Sequence, residues 1–381
     1  MARAAAPLNW LPAHQAHVFY TAAHVDSTIE LLSDVLHVYL AADPLQLESR
    51  FTPTTEEVVL NGIDPLPEAV PRLFADAFNQ ARNMLEHALY AEVEHRLDRE
   101  LSENEAKAVE VPATKSPEAF SQWCRHPHRR SLGLFDLGSD LVSRLERIQP
   151  YHRNDSDNHP LRMLVEHTNY AKHREPTVAF TRVGRVDVGA VTSAPSAQTA
   201  EHQEVVHIGS VLASAPRGRR VEVAVWPQVM VQRPHTGVWR TLMHEVRDIE
   251  DWIRRIAMPI VVEGRTDLPT VPPHLDLRRG YASVEEAWNV AGVVAAAGRA
   301  TRRMTAQALR RDIRDMLVDE NGEDLRDAAD VWLESLGDGE VIATFEPVGE
   351  AAQRGDSATV ARLTDEWRVA IGLARREAAD D

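Results

Sequence analysis

A chain of 381 residues, 44% hydrophobic and 26% charged, is long enough to bury a sizeable core and to divide into two or three domains. Its net charge of −16 argues against a general nucleic-acid binder, because neutralising phosphates takes clustered Lys and Arg. The single cysteine, Cys124, excludes an internal disulfide and a cysteine-built zinc site. With no apolar run of membrane-spanning length and no signal-peptide pattern in residues 1–7, the expectation is a cytoplasmic protein without cofactor or metal.

Ala13 to Leu40 reads as a long helix with an apolar stripe of Val18, Val25, Ile29, Leu32, Leu36 and Leu40. His14, His17 and His24 recur along it at helical spacing. No carboxylate sits in a matched repeat, so surface or core histidines are a simpler reading than a metal site. Ala42 to Pro71 carries five prolines and Asn61-Gly62, the marks of a loop or irregular connection. Phe74 to Arg99 is a second helix, with Phe78, Ala81, Leu85, Leu89 and Val93 in helical register and no internal Gly or Pro. Its Glu92-Val93-Glu94-His95 has the E-x-x-H spacing of di-iron bundles, which require a second copy. Glu204-Val205-Val206-His207 is the one comparable match, and its β-branched run favours a strand.

Lys115 to Phe135 reads as a connection around the basic run Arg125-His126-Pro127-His128-Arg129-Arg130. Asp136 to Ile148 resumes a helix that stops before Gln149-Pro150. A further helix runs from Leu161 to His173, and its terminal Lys172-His173-Arg174 complements the helix dipole or binds phosphate. After Pro176 come Val-rich strands at 177–191, 204–213 and 221–231, with Pro227 marking a bulge or edge. Gly237 to Met258 is an amphipathic helix that either covers the sheet or extends the helical core. A Pro-rich linker over 263–280 leads to a capping box at Ser283 to Glu286 and a long helix reaching Val318. A helix at 324–336, a short strand at 341–345 and a helix at 357–378 follow. The fold class is mainly α with a small antiparallel sheet (α+β), in regions 1–176, 177–262 and 281–381.

Within the second helix stands Arg82-Asn83-Met84-Leu85-Glu86-His87. Positions five apart on a helix are separated by roughly 7.5 Å of rise and about 140° of rotation, so Arg82 and His87 do not share a face. One ligand meets both only in a groove between helices, and a symmetric pair of chains supplies such a groove. Imidazoles that move protons and guanidinium that holds phosphate are what metal-free RNA cleavage requires. Arg162 to His167 repeats the spacing. Between Arg125 and Arg185 there are 11 Lys/Arg against 7 Asp/Glu, a local basic strip in an acidic chain.

Arg82-Asn83-x3-His87 resembles the R-x4-H signature of HEPN-domain proteins, helical domains frequent in prokaryotic toxins and defence systems. The wider order of motifs is similar to an uncharacterised bacterial family with G-D-x-x-H-N-L-R-S-x-L-D-H, then Q-P-Y, H-P-L and N-x-D-K-H-R. Here the counterparts are Asp76, Arg82 to His87, Gln149-Pro150-Tyr151, His159-Pro160-Leu161 and Asn169 to Arg174. This chain departs from that pattern in lacking the Gly before Asp76, and in carrying Asn83 for Ser and Ala171 for Asp. The resemblance implies a helical bundle in which the first and second helices pack antiparallel over Leu85 and Leu89. It also implies a dimeric, metal-independent endoribonuclease of toxin or phage-defence type. Arg82, His87 and Asn83 would be catalytic, and Lys172, His173, Arg174 and Arg162 would bind RNA. An antitoxin or defence-complex protein is the expected partner, with no membrane. The alternative is a non-catalytic HEPN-like scaffold or sensor that binds a protein partner or nucleotide in the same groove.

Overall fold

The computed structural model describes residues 10–174, 178–188, 206–219, 223–317 and 323–380. They are mainly helical with two small sheets, and no helix among them is long and apolar enough to cross a membrane. The chain divides into two compact units. One comprises Met1–Gln46, Ile63–Arg182 and Pro227–Gly298, and the other Leu47–Gly62, Val183–Trp226 and Arg299–Asp381.

The first unit is built on α1 (Ala16–Ala41) and α2 (Ala69–Leu97), which make its most extensive helix pairing. Both carry the apolar stripe that such pairing demands. Phe19, Ala22, Ala23, Ile29 and Leu32 of α1 and Phe74, Phe78, Leu85, Ala88 and Leu89 of α2 are at most 2% exposed and belong to one core. Pro71 falls in the first turn of α2, where its missing N–H costs nothing. After α2 come three short helices, α3 (Glu103–Ala106), α4 (Pro117–Cys124) and α5 (Pro127–Arg130), and around the pair lie α6 (Asp140–Arg147), α7 (Pro160–His173), α8 (Leu242–Trp252), α9 (Met258–Glu263) and α10 (Val284–Val290). A π-helical turn, Ile253–Ala257, joins α8 to α9 directly ahead of Pro259, whose ring and absent N–H disfavour a regular α-helical passage. Gly264 ends α9 at φ 71°, and its N–H donates to Ile260 O at 2.8 Å. The carbonyls at the end of that last turn accept from Arg144 (Val261 O and Val262 O) and from Arg147 (Gly264 O).

Two three-stranded sheets are present. The first has the order β1 (Leu45–Phe51), β2 (Thr55–Ile63), β4 (Val211–Pro216), and the second β3 (Ala179–Val188), β5 (Val223–Gln232), β6 (Trp239–Thr241). β2 and β4 run antiparallel from Thr55↔Pro216 with a bulge at Val58/Val59, and β5 pairs antiparallel with β6 from Met230↔Thr241. In the second unit, the part of α11 (Ala296–Leu317) from Arg299 onward, α12 (Glu323–Ser335), α13 (Asp338–Gln353) and α14 (Ser357–Asp380) enclose their own core of Leu309, Ile313, Leu333, Val341, Trp367 and Ile371.

Several expectations are corrected. The presumed loop at 42–71 holds the β1–β2 hairpin, and its turn lies at Thr52–Thr55, where Thr52 N donates to Thr55 O, rather than at Asn61-Gly62. The connection at 115–135 contains two short helices, Pro117–Cys124, capped by Ser116, and Pro127–Arg130. One expected helix from 237 is β6 followed by α8, and Val246, Ile249 and Ile253 join the helical core. The helix expected from Ser283 to Val318 is broken. Val284–Val290 ends before an extended Ala291, Gly292 pairs with His274, and α11 restarts at Ala296, whose N–H donates to buried Asp26 Oδ1 at 2.6 Å. A tertiary N-cap from another helix has no local sequence signal. The strand expected at 341–345 lies inside α13, because Val341 and Val348, one heptad apart, both face the second core. Glu204 and most of the strand expected at 204–213 lie outside the described residues or precede β4.

A buried charge network ties α7, α8 and β5 together. Arg233 forks onto Glu245, Nε to Oε1 and Nη2 to Oε2 at 2.7 Å each, and both side chains are at most 5% exposed. His167 Nε2 lies 3.4 Å from Glu245 Oε1, and its ring sits edge-on to Phe74 and Phe78. Burial alone would raise the Glu245 carboxyl, but His167 and the Arg233 guanidinium hold it down at about 2. Removing one member strands the other: Glu245→Ala is expected to cost about 3–5 kcal/mol in urea unfolding. Because the folded carboxyl titrates below the ordinary 4.5, this contribution is complete above that pH and is lost as pH falls toward 2. His159, pushed down to about 4 by burial and then by Arg153 and His152, behaves in the same direction at higher pH. Its share is complete above 6.5 and declines as acid approaches 4, so a His159→Gln variant should flatten the stability profile between these values.

Candidate functional site

Two motif segments far apart in sequence, Arg82 to His87 and the one beginning at Asn169, meet at the seam between α2 and α7. Asn79, Arg82, Asn83 and Glu86 have i, i+3, i+4, i+7 spacing, which sets one polar stripe along α2. Arg82 is 16% exposed in its side chain. Its Nε donates to Glu86 Oε1 at 3.2 Å, and its Nη1 donates to Thr168 Oγ1 at 2.9 Å and to Asn169 Oδ1 at 2.8 Å. Glu86 in turn accepts from Val111 N at 2.8 Å through its other oxygen. Burial raises the Glu86 carboxyl above its usual value, against the lowering effects of the Val111 N–H and the Arg82 guanidinium. Asn79 Oδ1 is buried without a hydrogen-bond partner on the same stripe.

His87 leaves α2 in another direction. It is exposed, and its ring lies 6.2 Å from that of His17 on α1. Crowding by the surrounding chain, and then the imidazoles of His87 and His14, keep the His17 pKa below 6.5. Within one chain, therefore, Arg82 faces α7 and His87 faces α1. Asn83, four residues before His87, is partly buried.

The remaining expected residues divide. Arg162 pairs with Glu166 one turn away on α7, and His167, which completes the second R-x4-H match, is 1% exposed against Glu245. Lys172 and Arg174 are exposed at the end of α7, and the Arg174 guanidinium lies 5.6 Å from the centroid of the Tyr170 ring. The His173 side chain lies outside the described residues.

Two of the three later motifs have a purely architectural account. Gln149 is fully buried with its amide satisfied: Oε1 accepts from Thr114 N and Oγ1, and Nε2 donates to Pro112 O and Leu145 O, all between 2.9 and 3.0 Å. His159 caps α7, its Nδ1 accepting from Leu161 N at 3.1 Å, with Pro160 at the first helical position. Only the segment beginning at Asn169 reaches Arg82.

A second cluster escaped the sequence reading. His14 and His95 stack with ring centroids 3.9 Å apart and planes 9° from parallel, and His14 Nε2 lies 3.0 Å from Glu92 Oε2. Glu92 also accepts from Arg96, and a cavity of about 580 Å³ opens here beside Arg144. The signal was the pairing of His14 with E-x-x-H across an antiparallel helix pair, which becomes readable only once the register is known. Asp26, Glu30 and His274 bring potential metal-ligand atoms within 4.8 Å of one another. Asp26, fully buried, spends its two oxygens on the Ala296 N–H and on His274 Nδ1 at 3.2 Å.

No family model, curated protein or solved structure matches the chain.

The seam has a stability signature. Arg82→Ala removes three hydrogen bonds and leaves Glu86 partly buried without its cation, so unfolding should become easier by about 1–3 kcal/mol, measured by urea denaturation. Arg82→Lys should recover only part of this, since an ammonium lacks the planar fork that reaches Glu86 and α7 together.

Proposed function

We propose that this protein is a non-catalytic HEPN-like scaffold or sensor, whose α2–α7 seam joins the bundle and supports binding of a partner rather than chemistry. The observation that carries this reading is the engagement of Arg82 by Glu86, Thr168 and Asn169 of its own chain. A guanidinium tied to a carboxylate and two further acceptors must break charge-assisted hydrogen bonds before it can hold a phosphate. His87 points away from it, toward His17. A scaffold needs only that this arrangement persist, and the acidic net charge suits a protein whose partner is not RNA.

The second reading is the dimeric, metal-independent endoribonuclease, of toxin or defence type, favoured by one observation: His87 is exposed beside a second imidazole. Paired imidazoles supply the base and acid of ribose-phosphate cleavage. Arg82, from a second copy of the chain, would stabilise phosphate, with Asn83 positioning it and Lys172, Arg174 and Arg162 guiding the strand.

One experiment separates the two. Purified full-length chain is incubated with total RNA in excess chelator, beside His87→Ala and Arg82→Ala. The scaffold reading expects no cleavage above background in any of the three. Cleavage by the parent that His87→Ala abolishes establishes the nuclease and ends the scaffold proposal.

A further inference from the structure

A cavity of about 640 Å³ lies on the far side of α7 from the Arg82 seam, and no reading of the R-x4-H motif involves it. On α8 and the π-turn, Asp248, Asp251, Trp252, Arg255 and Ile256 have i, i+3, i+4, i+7, i+8 spacing, which places them along one wall. Arg153, following the turn Pro150–His152, and Arg240, on β6, close on that wall from other segments. Arg233 stands behind them, its guanidinium held by Glu245 and by Asn158 Oδ1. Four arginines against two aspartates line this space, in a chain whose net charge is −16.

We propose that this cavity binds a small phosphorylated polyol of the sugar-phosphate class. Guanidinium groups converging from separate segments suit a phosphate, whose oxygens accept forked, charge-assisted hydrogen bonds. Arg255 lies 3.7 Å from Asp251, and their side chains are 65% and 49% exposed, a solvent-screened contact that a phosphate displaces at little cost. Asp248 and Asp251 repel a bare anion but accept hydrogen bonds from hydroxyl groups, so they select a ligand bearing both. A nucleobase is disfavoured. Trp252 is only 7% exposed, and His159 sits against its ring at 5.4 Å and 80°, which leaves no open aromatic face for stacking. The cavity volume lies in the range of small-molecule sites. The proposal stands independently of the scaffold and nuclease readings, because none of its residues contacts Arg82 or His87.

Calorimetric titration of the full chain tests it, with ribose 5-phosphate, ribose, inorganic phosphate, AMP and a single-stranded RNA oligomer as separate probes. The expected result is saturable binding of ribose 5-phosphate, tighter than ribose or phosphate alone. Arg255→Ala and Arg153→Ala, both at exposed positions, should each weaken it by about tenfold. Asp251→Asn should narrow the preference for the sugar phosphate over inorganic phosphate. Thermal unfolding without ligand confirms that the variants fold. The proposal is overturned if ribose 5-phosphate shows no saturable binding at millimolar concentration, or if Arg255→Ala and Arg153→Ala both bind it as the parent does. It is equally overturned if AMP or the RNA oligomer is preferred.

Discussion

The Arg82 guanidinium is the fixed point between α2 and α7. α2 packs its apolar face on α1 and, through Phe74 and Phe78, on α7, and beside these rings toward α7 runs a polar stripe that has to satisfy itself. Arg82 does so by bridging Glu86 on its own helix to Thr168 and Asn169 on the other, while Glu86 also anchors the backbone of Val111. Releasing this guanidinium leaves a partly buried carboxylate uncompensated, at a cost larger than that of a surface ion pair. Any use of Arg82 in binding or chemistry has to meet that cost, which is why the seam reads first as architecture.

The same logic recurs one helix further on. Glu245 is wholly buried, and its burial is tolerable because Arg233 offers a planar fork in matching geometry and His167 stands beside Oε1. Arg254, 3% exposed, performs a comparable task between Glu250 and Ala22 O. In this acidic chain Arg233 and Arg254 are therefore structural ligands for buried carboxylates and, for Arg254, a carbonyl. Arginines left at the surface of a cavity, such as Arg153 and Arg255, are the ones with freedom to meet a ligand.

The order of motifs along the chain takes on a physical meaning in the fold. Gln149 and His159 are each explained by what they satisfy locally, the backbone around Pro112 to Thr114 and the first turn of α7. Asn169 is explained by Arg82. The set thus describes how the first unit is held together, and these positions speak to packing before activity.

Much was legible from residues alone. The helical period of Phe74 to Val93 and of Val18 to Leu36 identified the two helices at the centre of the core, because burial of an apolar face leaves a 3.6-residue trace that needs no tertiary knowledge. Pro160 and the Ser283 cap marked real boundaries for the same reason, since each acts within its own turn. The angular separation of Arg82 and His87 was also a consequence of helix geometry. The partners were not legible. That Arg82 meets Asn169, that His14 stacks on His95, that Asp26 caps α11 and that Arg153, Arg240 and Arg255 surround one cavity are contacts across long stretches of chain. They depend on register and packing, which local periodicity does not encode; only the folded chain decides which charges are spent on each other and which face solvent.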